Sequence, residues 1–361
     1  MNILHILSAP ASGGAEVYIK DIAKYLSEQG HQIHIAFLSS ATNANRDLTY
    51  EKNFLDDLES SGVTTYVIGN ETRKKPWLGM ARLRNYVIKN DIDICHTHLA
   101  YGIVFSSLLR IPIVYTHHTI ASRWGKLTYK IFNNLVDEYV GISEKCAIAL
   151  GMYTGRKVTT ITNAVSEDKF VGYIRERCLK DTVIFVMVGR LDVEKDYLNM
   201  LHALMLLDTE SKQKLRVLIA GEGDNSYKNE LLNYIDKNKL NNVVEFVGLK
   251  TNIPEFLYDA EVFLMSSSFE GLPIALIEAA VVGLPCIVTD VGGCAEIIAR
   301  SDNGVAVPPH SPQAIADEII RFVSEKSLIK QYSINAIANA HKYSISIAAQ
   351  LHLDLYSSML K

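Results

Sequence analysis

Short runs rich in Val and Ile alternate with helix-length amphipathic segments along nearly the whole chain, the pattern of parallel sheets covered on both faces by helices. The first series of strand-like runs falls at residues 2–8, 32–38, 64–68, 92–96, 113–116, 139–142 and 158–161. A second series restarts the rhythm at 183–189, 214–220, 243–246, 262–265, 286–289 and 305–307. The pattern predicts an α/β chain with two Rossmann-like, doubly wound parallel-sheet domains, residues 1–165 and 183–340, joined by a charged, poorly periodic connection at 166–182. A ligand is expected at the carboxyl ends of the strands, in a central cleft. Residues 341–361 read as a helix that closes the second domain or crosses back to the first.

A length of 361 residues suits two domains, and 48% hydrophobic content supplies apolar material for two cores. The net charge of −4 lacks the basic footprint of nucleic-acid binding, so no nucleic-acid partner is expected. The opening apolar run has no basic flank and reads as a strand, not a signal peptide. The longest apolar run, 274–288, is interrupted by Glu278, Gly283 and Pro285 and does not read as a membrane span. Cys95, Cys146, Cys178, Cys286 and Cys294 form no Cys-x-x-Cys pair, which points to reduced packing residues in a cytoplasmic protein.

Candidate chemistry collects where strands end. Glu270 and Glu278 are the only charges in Ser268-Phe269-Glu270-Gly271-Leu272-Pro273-Ile274-Ala275-Leu276-Ile277-Glu278. Gly271 frees the backbone and Pro273 suits a first helical turn, so Glu270 belongs to a loop and Glu278 to the helix after it. A helix start offers N–H groups to an anion, and the two carboxylates suit sugar hydroxyls on either side of a phosphate. Arg190 and Lys195, in Gly189-Arg190-Leu191-Asp192-Val193-Glu194-Lys195, follow another strand and suit phosphate oxygens, at about 1.5–3 kcal/mol per charge-assisted bond. Gly13 and Gly14 open a helix after the first strand and let backbone approach a phosphate, but they lack the spacing of a dinucleotide fingerprint or a P-loop. Further glycine turns stand at Gly221-Glu222-Gly223-Asp224 and at Gly292-Gly293, with Glu296 either entering a helix or lining the cleft.

His96, His98, His117 and His118 stand at successive strand ends without companion carboxylates, so no metal site is expected and hydrogen bonding is their ordinary role. Asp91-Ile92-Asp93 spells the D-x-D of some metal-dependent sugar transferases, but it lies at the amino end of a strand, away from the ligand edge. Basic and aromatic residues cluster at Arg73-Lys74-Lys75-Pro76-Trp77, at Arg82 and Arg84, and at Arg123-Trp124-Gly125-Lys126, which suits an anionic membrane surface as well as a solvated face.

Taken together these motifs resemble the GT-B fold glycosyltransferases of family 4 over nearly the whole length. The resemblance is carried by Gly189-Arg190-Leu191 with Lys195 and by Glu270-Gly271-Leu272-Pro273 with Glu278, and supported by Gly13-Gly14-Ala15-Glu16, Asp93-Ile94-Cys95-His96-Thr97-His98 and Gly292-Gly293. It implies a retaining, metal-independent transferase without cofactor, moving a hexose or N-acetylhexosamine from a UDP-sugar to a glycan or lipid-linked glycan in polysaccharide or lipopolysaccharide synthesis. By that similarity the first domain binds acceptor and the second binds donor. Arg190 and Lys195 hold the diphosphate, Glu278 the ribose and Glu270 the donor sugar, while Gly13, Gly14, Gly271 and Leu272 line the donor site. His118 matches the family's histidine beside the transferred sugar, with His98 and His117 on the acceptor side. Two positions depart from the family pattern, Ala164 after Asn163 and Asp196 after Lys195, where glycine is common. The competing expectations are a nucleotide-sugar epimerase of similar fold, a non-catalytic nucleotide-sugar-binding subunit and, disfavoured by glycine spacing, a Rossmann oxidoreductase.

Overall fold

A computed structural model describes residues 1–11, 13–40, 48–122, 124–176 and 181–360. Ser12, Arg123 and Cys178, which figure in the motifs above, lie outside the described residues. The chain divides into two compact units, Met1–Val165 with the segment from Ile345 onward, and Ser166–Ser344.

The first unit holds β1 (Asn2–Leu7), β2 (Gln32–Phe37), β3 (Thr64–Val67), β4 (Ile94–Thr97), β5 (Ile113–His117), β6 (Glu138–Gly141) and β7 (Thr159–Thr160). They form one parallel sheet in the order β3-β2-β1-β4-β5-β6-β7. The second unit holds β8 (Val183–Val188), β9 (Leu215–Ala220), β10 (Val244–Gly248), β11 (Val262–Met265), β12 (Cys286–Thr289) and β13 (Gly304–Val307), in the parallel order β10-β9-β8-β11-β12-β13. Each order doubles back once, between β1 and β4 and between β8 and β11. Adjacent loops part there at the strands' carboxyl ends and leave room for a ligand.

The local sequence explains the layers. Strands β11, Val-Phe-Leu-Met, and β12, Cys-Ile-Val-Thr, are buried along their full length, as strands covered by helices on both faces must be. Phe185, Met187, Val217, Leu264 and Ile287 join the core of the second unit, and Leu4, Ile6, Cys95, Tyr115 and Tyr139 that of the first. Cys95, Cys146, Cys286 and Cys294 are buried free thiols.

Of the stretch 166–182, expected as a connection, the described residues 166–176 and 181–182 belong to the second unit. Phe170 is fully buried, and the Arg175 guanidinium lies over the Tyr258 ring while donating to the Tyr258 carbonyl at 2.8 Å. The helix Ile345–Met359 joins the first unit, burying Ile345, Ala348, Ala349, His352 and Tyr356 along one face. It packs against the helix Gly14–Glu28, with Tyr18 Oη and His352 Nε2 at 3.1 Å.

Candidate functional site

In the second unit, the reversal between β8 and β11 brings the loop after β8 beside the loop after β11. Lys195 Nζ donates to Glu270 Oε1 at 2.6 Å, and Ser267 Oγ donates to the same oxygen at 2.7 Å. These side chains are only 19% and 11% exposed, so water screens the pair weakly. Glu270 Oε2 carries no hydrogen bond among the described residues, leaving it for a ligand. Arg190 is carried by the same loop as Lys195. Its guanidinium pairs with Asp192 at 3.1 Å and is largely exposed.

The loops are pinned by backbone. Ser268 N–H donates to the Glu194 carbonyl at 2.8 Å, and Ser266 Oγ donates to the Asp196 carbonyl at 2.9 Å. Gly221, at φ +145°, sits where a Cβ would overlap the Gly189 carbonyl, so the loop after β9 can press directly on the basic loop. Leu191 and Glu222 complete that brace, with an N–H···O bond of 3.0 Å. Gly292, at φ +56°, does the same for the acidic loop, and Gly293 N–H donates to the Gly271 carbonyl at 2.7 Å. The two glycine turns therefore support the charged loops from behind. Asp196 stands at φ 45°, a conformation that glycine adopts more readily; its carboxylate caps the helix Tyr197–Leu206 and pairs with His310 at 3.0 Å.

Leu272 is buried, and the helix Ile274–Val281 starts after Pro273, which offers no side-chain cap. That leaves its first N–H groups for an anion or water. Glu278 is partly exposed, about one turn into this helix.

In the first unit, Gly13 is the cap of the helix Gly14–Glu28, again without a side-chain bond. Glu16 lies in the first turn and accepts from Ser8 Oγ at 3.1 Å. The histidines separate into two environments. His98, just past β4, contacts His118, just past β5, with Nδ1 and Nε2 3.0 Å apart. His98 Nε2 meets His5 Nδ1 on β1, also at 3.0 Å. His117 lies outside this chain: its Nδ1 meets Tyr115 Oη at 2.8 Å and its Nε2 meets Thr119 Oγ1 at 3.4 Å. Both nitrogens of His98 and both of His117 are thus engaged within the first unit, which leaves neither ring a nitrogen for an acceptor. Burial pushes His5 and His117 down to about 4, and burial followed by the neighbouring His117 and His352 pushes His118 down to about 3.

Sequence reading missed His5, His352 and Tyr356. His96 Nδ1 meets Tyr356 Oη at 2.5 Å and its Nε2 meets Thr116 Oγ1 at 2.7 Å, while His352 stacks on Tyr356. The four-residue spacing of His352 and Tyr356 on a helix is the one available signal, and it says nothing of their partner. Ring nitrogens of His5, His96 and His98 lie within 4.8 Å of one another, the geometry of a possible metal group. Both nitrogens of His96 and both of His98 already have partners, so an ion would have to break those bonds. Asp93 accepts from the Asn2 N–H at 2.7 Å and serves the strand start.

The sequence profile described as "Glycosyl transferases group 1" matches residues 175–339, and that described as "Glycosyltransferase Family 4" matches residues 12–169. The chain belongs to the GT-B glycosyltransferases of family 4. Among curated relatives, this glycosyltransferase is 26% identical over 337 residues to the UDP-Gal:alpha-D-GlcNAc-diphosphoundecaprenol alpha-1,3-galactosyltransferase of Escherichia coli, covering 85% of this chain and 86% of the relative. It is 25% identical over 297 residues to the capsular polysaccharide biosynthesis glycosyltransferase CapH of Staphylococcus aureus, covering 77% and 78%. The glycosyltransferase shares its fold with Anabaena Alr3699/HepE, solved in complex with UDP-glucose, at a TM-score of 0.81 and 20% identity, over 99% of this chain and 100% of that one.

Proposed function

We propose that this glycosyltransferase moves a hexose or N-acetylhexosamine from a UDP-sugar, with retention at the anomeric carbon, to a hydroxyl of a glycan or lipid-linked glycan in cell-surface polysaccharide or lipopolysaccharide synthesis. The Lys195–Glu270 pair at the β8/β11 reversal carries the assignment. It sets a cation and a carboxylate side by side at a built ligand edge, matching an activated sugar with phosphate next to hydroxyls. The E. coli relative, by its name, uses a UDP-sugar and a diphosphoundecaprenol-linked acceptor.

Arg190 and Lys195 are assigned to the diphosphate, Glu278 to the ribose hydroxyls, and Glu270, through Oε2, to the donor sugar. Backbone N–H groups at Gly271 and Leu272, and at Gly13 and Gly14, are assigned to donor oxygens, and His118 to the transferred sugar and the incoming hydroxyl. As the glycosidic bond breaks, negative charge grows on the leaving diphosphate and positive character on the sugar ring. Cations already aimed at the phosphate lower that barrier without reorganising. The leaving phosphate oxygen accepts the proton of the attacking hydroxyl on the same face. Glu270 Oε1 is held by Lys195 and Ser267, which favours hydroxyl recognition over nucleophilic attack. Arg190 and Lys195 supply the charge a metal would bring, so neither metal nor cofactor is required.

Thermal shift with a panel of nucleotide-sugars tests donor choice. UDP-sugars should raise the melting temperature equally in Mg²⁺ and in EDTA, because a ligand that binds only the folded state stabilises it. Stabilisation only with Mg²⁺, or only by another nucleotide, would overturn the donor assignment. Release of UDP only when an acceptor is added separates transfer from binding alone, and interconversion of free nucleotide-sugars would mark an epimerase.

We also assign the enzyme to the cytoplasmic face of the membrane, as a peripheral protein. No helix among the described residues is long and apolar enough to cross a bilayer. Of the basic-aromatic runs, the attachment face takes only Lys126. Trp77 is exposed, but Arg82 is tied to Glu71 at 2.5 Å and Trp124 packs on Phe132. A different patch stands out: Leu127 and Ile131 on the helix Lys126–Phe132, and Ile148 and Met152 on the adjoining helix Glu144–Thr154, are 61–77% exposed. Lys126, Lys130 and Lys145 are exposed beside them. Inserting one such side chain contributes about 1.5–3 kcal/mol and each lysine about 1 kcal/mol at an anionic surface. Ile131→Glu with Met152→Glu should therefore reduce co-sedimentation with anionic vesicles at low salt by about a hundredfold. Equal sedimentation of parent and variant would sink the attachment face.

A further inference from the structure

Three histidine rings run in line through the first unit, His5 to His98 to His118, joined by two nitrogen–nitrogen contacts of 3.0 Å. Each contact needs one protonated and one bare nitrogen. His5 is fully buried and His98 nearly so, and burial holds both rings neutral, with one proton each. A neutral His98 can donate from only one nitrogen, so it accepts at the other and both bonds run in the same sense. Were they to run toward His5, its proton would sit on Nε2, a buried atom without a partner among the described residues. A buried N–H with no acceptor is rarer and costlier than a bare lone pair. The sense that avoids it runs toward His118. The middle ring is also braced: His98 lies 4.2 Å from the His96 ring, and His96 is fixed by Tyr356 and Thr116.

We propose that His5 and His98 are positioning residues, a two-step hydrogen-bond relay that fixes the tautomer of His118, keeping its Nε2 as an acceptor and its single proton on Nδ1. The consequence for transfer rests on the role given to His118 above; the relay itself does not. With Nε2 occupied, His118 meets a sugar or acceptor oxygen as an N–H donor and does not act as a general base. This fits a reaction in which the leaving phosphate takes the proton.

Long-range ¹H–¹⁵N correlation of the full chain labelled with ¹⁵N-histidine, at pH 7.5, reads the tautomer directly, with the His118 signals identified by their loss in His118→Gln. The expected result is a protonated Nδ1 and a bare Nε2. A proton on His118 Nε2 in the parent protein overturns the proposal without any variant having to fold. His98→Phe should release the tautomer preference and lower kcat about tenfold, with a smaller change in KM for the nucleotide-sugar. His98→Asn, whose side-chain amide can donate from near the position of Nδ1, should restore the Nδ1 proton and recover part of kcat. An unaltered His118 spectrum in His98→Phe would overturn the relay. Full transfer by His118→Ala would instead remove the catalytic role of His118 while the parent spectrum still decides the relay.

Discussion

Lys195→Met should lower the rate of sugar transfer by about 10²–10³-fold, the loss found when one preorganised donor to a developing negative charge is removed. Binding of UDP alone should weaken by about 10–100-fold, since a charge-assisted bond contributes about 1.5–3 kcal/mol. A complication is that the substitution strands Glu270, whose carboxylate is 11% exposed and would keep only Ser267. Some loss of stability follows from burying an unpaired charge. Lys195→Met combined with Glu270→Gln separates the two effects. The double variant should regain melting temperature yet still bind UDP weakly, because UDP lacks the transferred sugar to which Glu270 is assigned. Recovery of UDP affinity in the double variant would mean that Lys195 serves Glu270 and not the phosphate. Arg190→Ala should weaken UDP binding in the same direction.

Acid should unfold the first unit steeply below pH 6.5. His5 is fully buried and held to about 4, and His352 is 2% exposed and held to about 3, each because burial disfavours the charged ring. His96 and His98 are pushed well below 6.5 for the same leading reason. Above 6.5 the rings are neutral in both states and their contribution to stability is intact. As the pH falls from 6.5 toward about 4, the unfolded chain takes up protons that the folded unit refuses, so stability is lost. Each such ring removes about 1.4 kcal/mol per pH unit, and His5 and His352 alone remove about 3 kcal/mol per pH unit against a domain stability of about 5–15 kcal/mol. The chain's two tryptophans, Trp77 and Trp124, both lie in the first unit, so their fluorescence reports that unit during urea unfolding. The urea midpoint should fall continuously from pH 6.5 to 4.5. A flat midpoint over that range would show that these rings titrate alike in both states.

Much of the fold could be read from residues alone because a strand buried on both faces leaves an unmistakable local trace. Runs such as Val-Phe-Leu-Met and Cys-Ile-Val-Thr have few alternatives, and each sheet's strands lie where those runs stand. Lys195 and Glu270 were legible for a related reason: each follows such a run, and the doubly wound order brings the two run ends together. The supports were not legible. Gly221 looks like any turn glycine until the Gly189 carbonyl is seen against it, and His5 sits in the first strand with apolar residues on either side. Its partner His98 is 93 positions away, and Tyr356, which holds His96, is 260 positions away. Periodicity describes which face of an element is buried; it carries no address for what covers it. The exposed Leu127, Ile131, Ile148 and Met152 escaped notice because they occur on helices of ordinary composition, and only exposure distinguishes them from core residues.

The return of the helix Ile345–Met359 to the first unit has a consequence for the order in which the chain is made. The unit made of consecutive residues, Ser166–Ser344, is encoded in full before that helix, while the unit begun at Met1 is still missing the helix whose His352 and Tyr356 meet Tyr18 and His96. Domains fold as units, so the first lobe cannot finish its core from residues 1–165 alone, and its histidine pocket stays open to water until that late-made latch arrives.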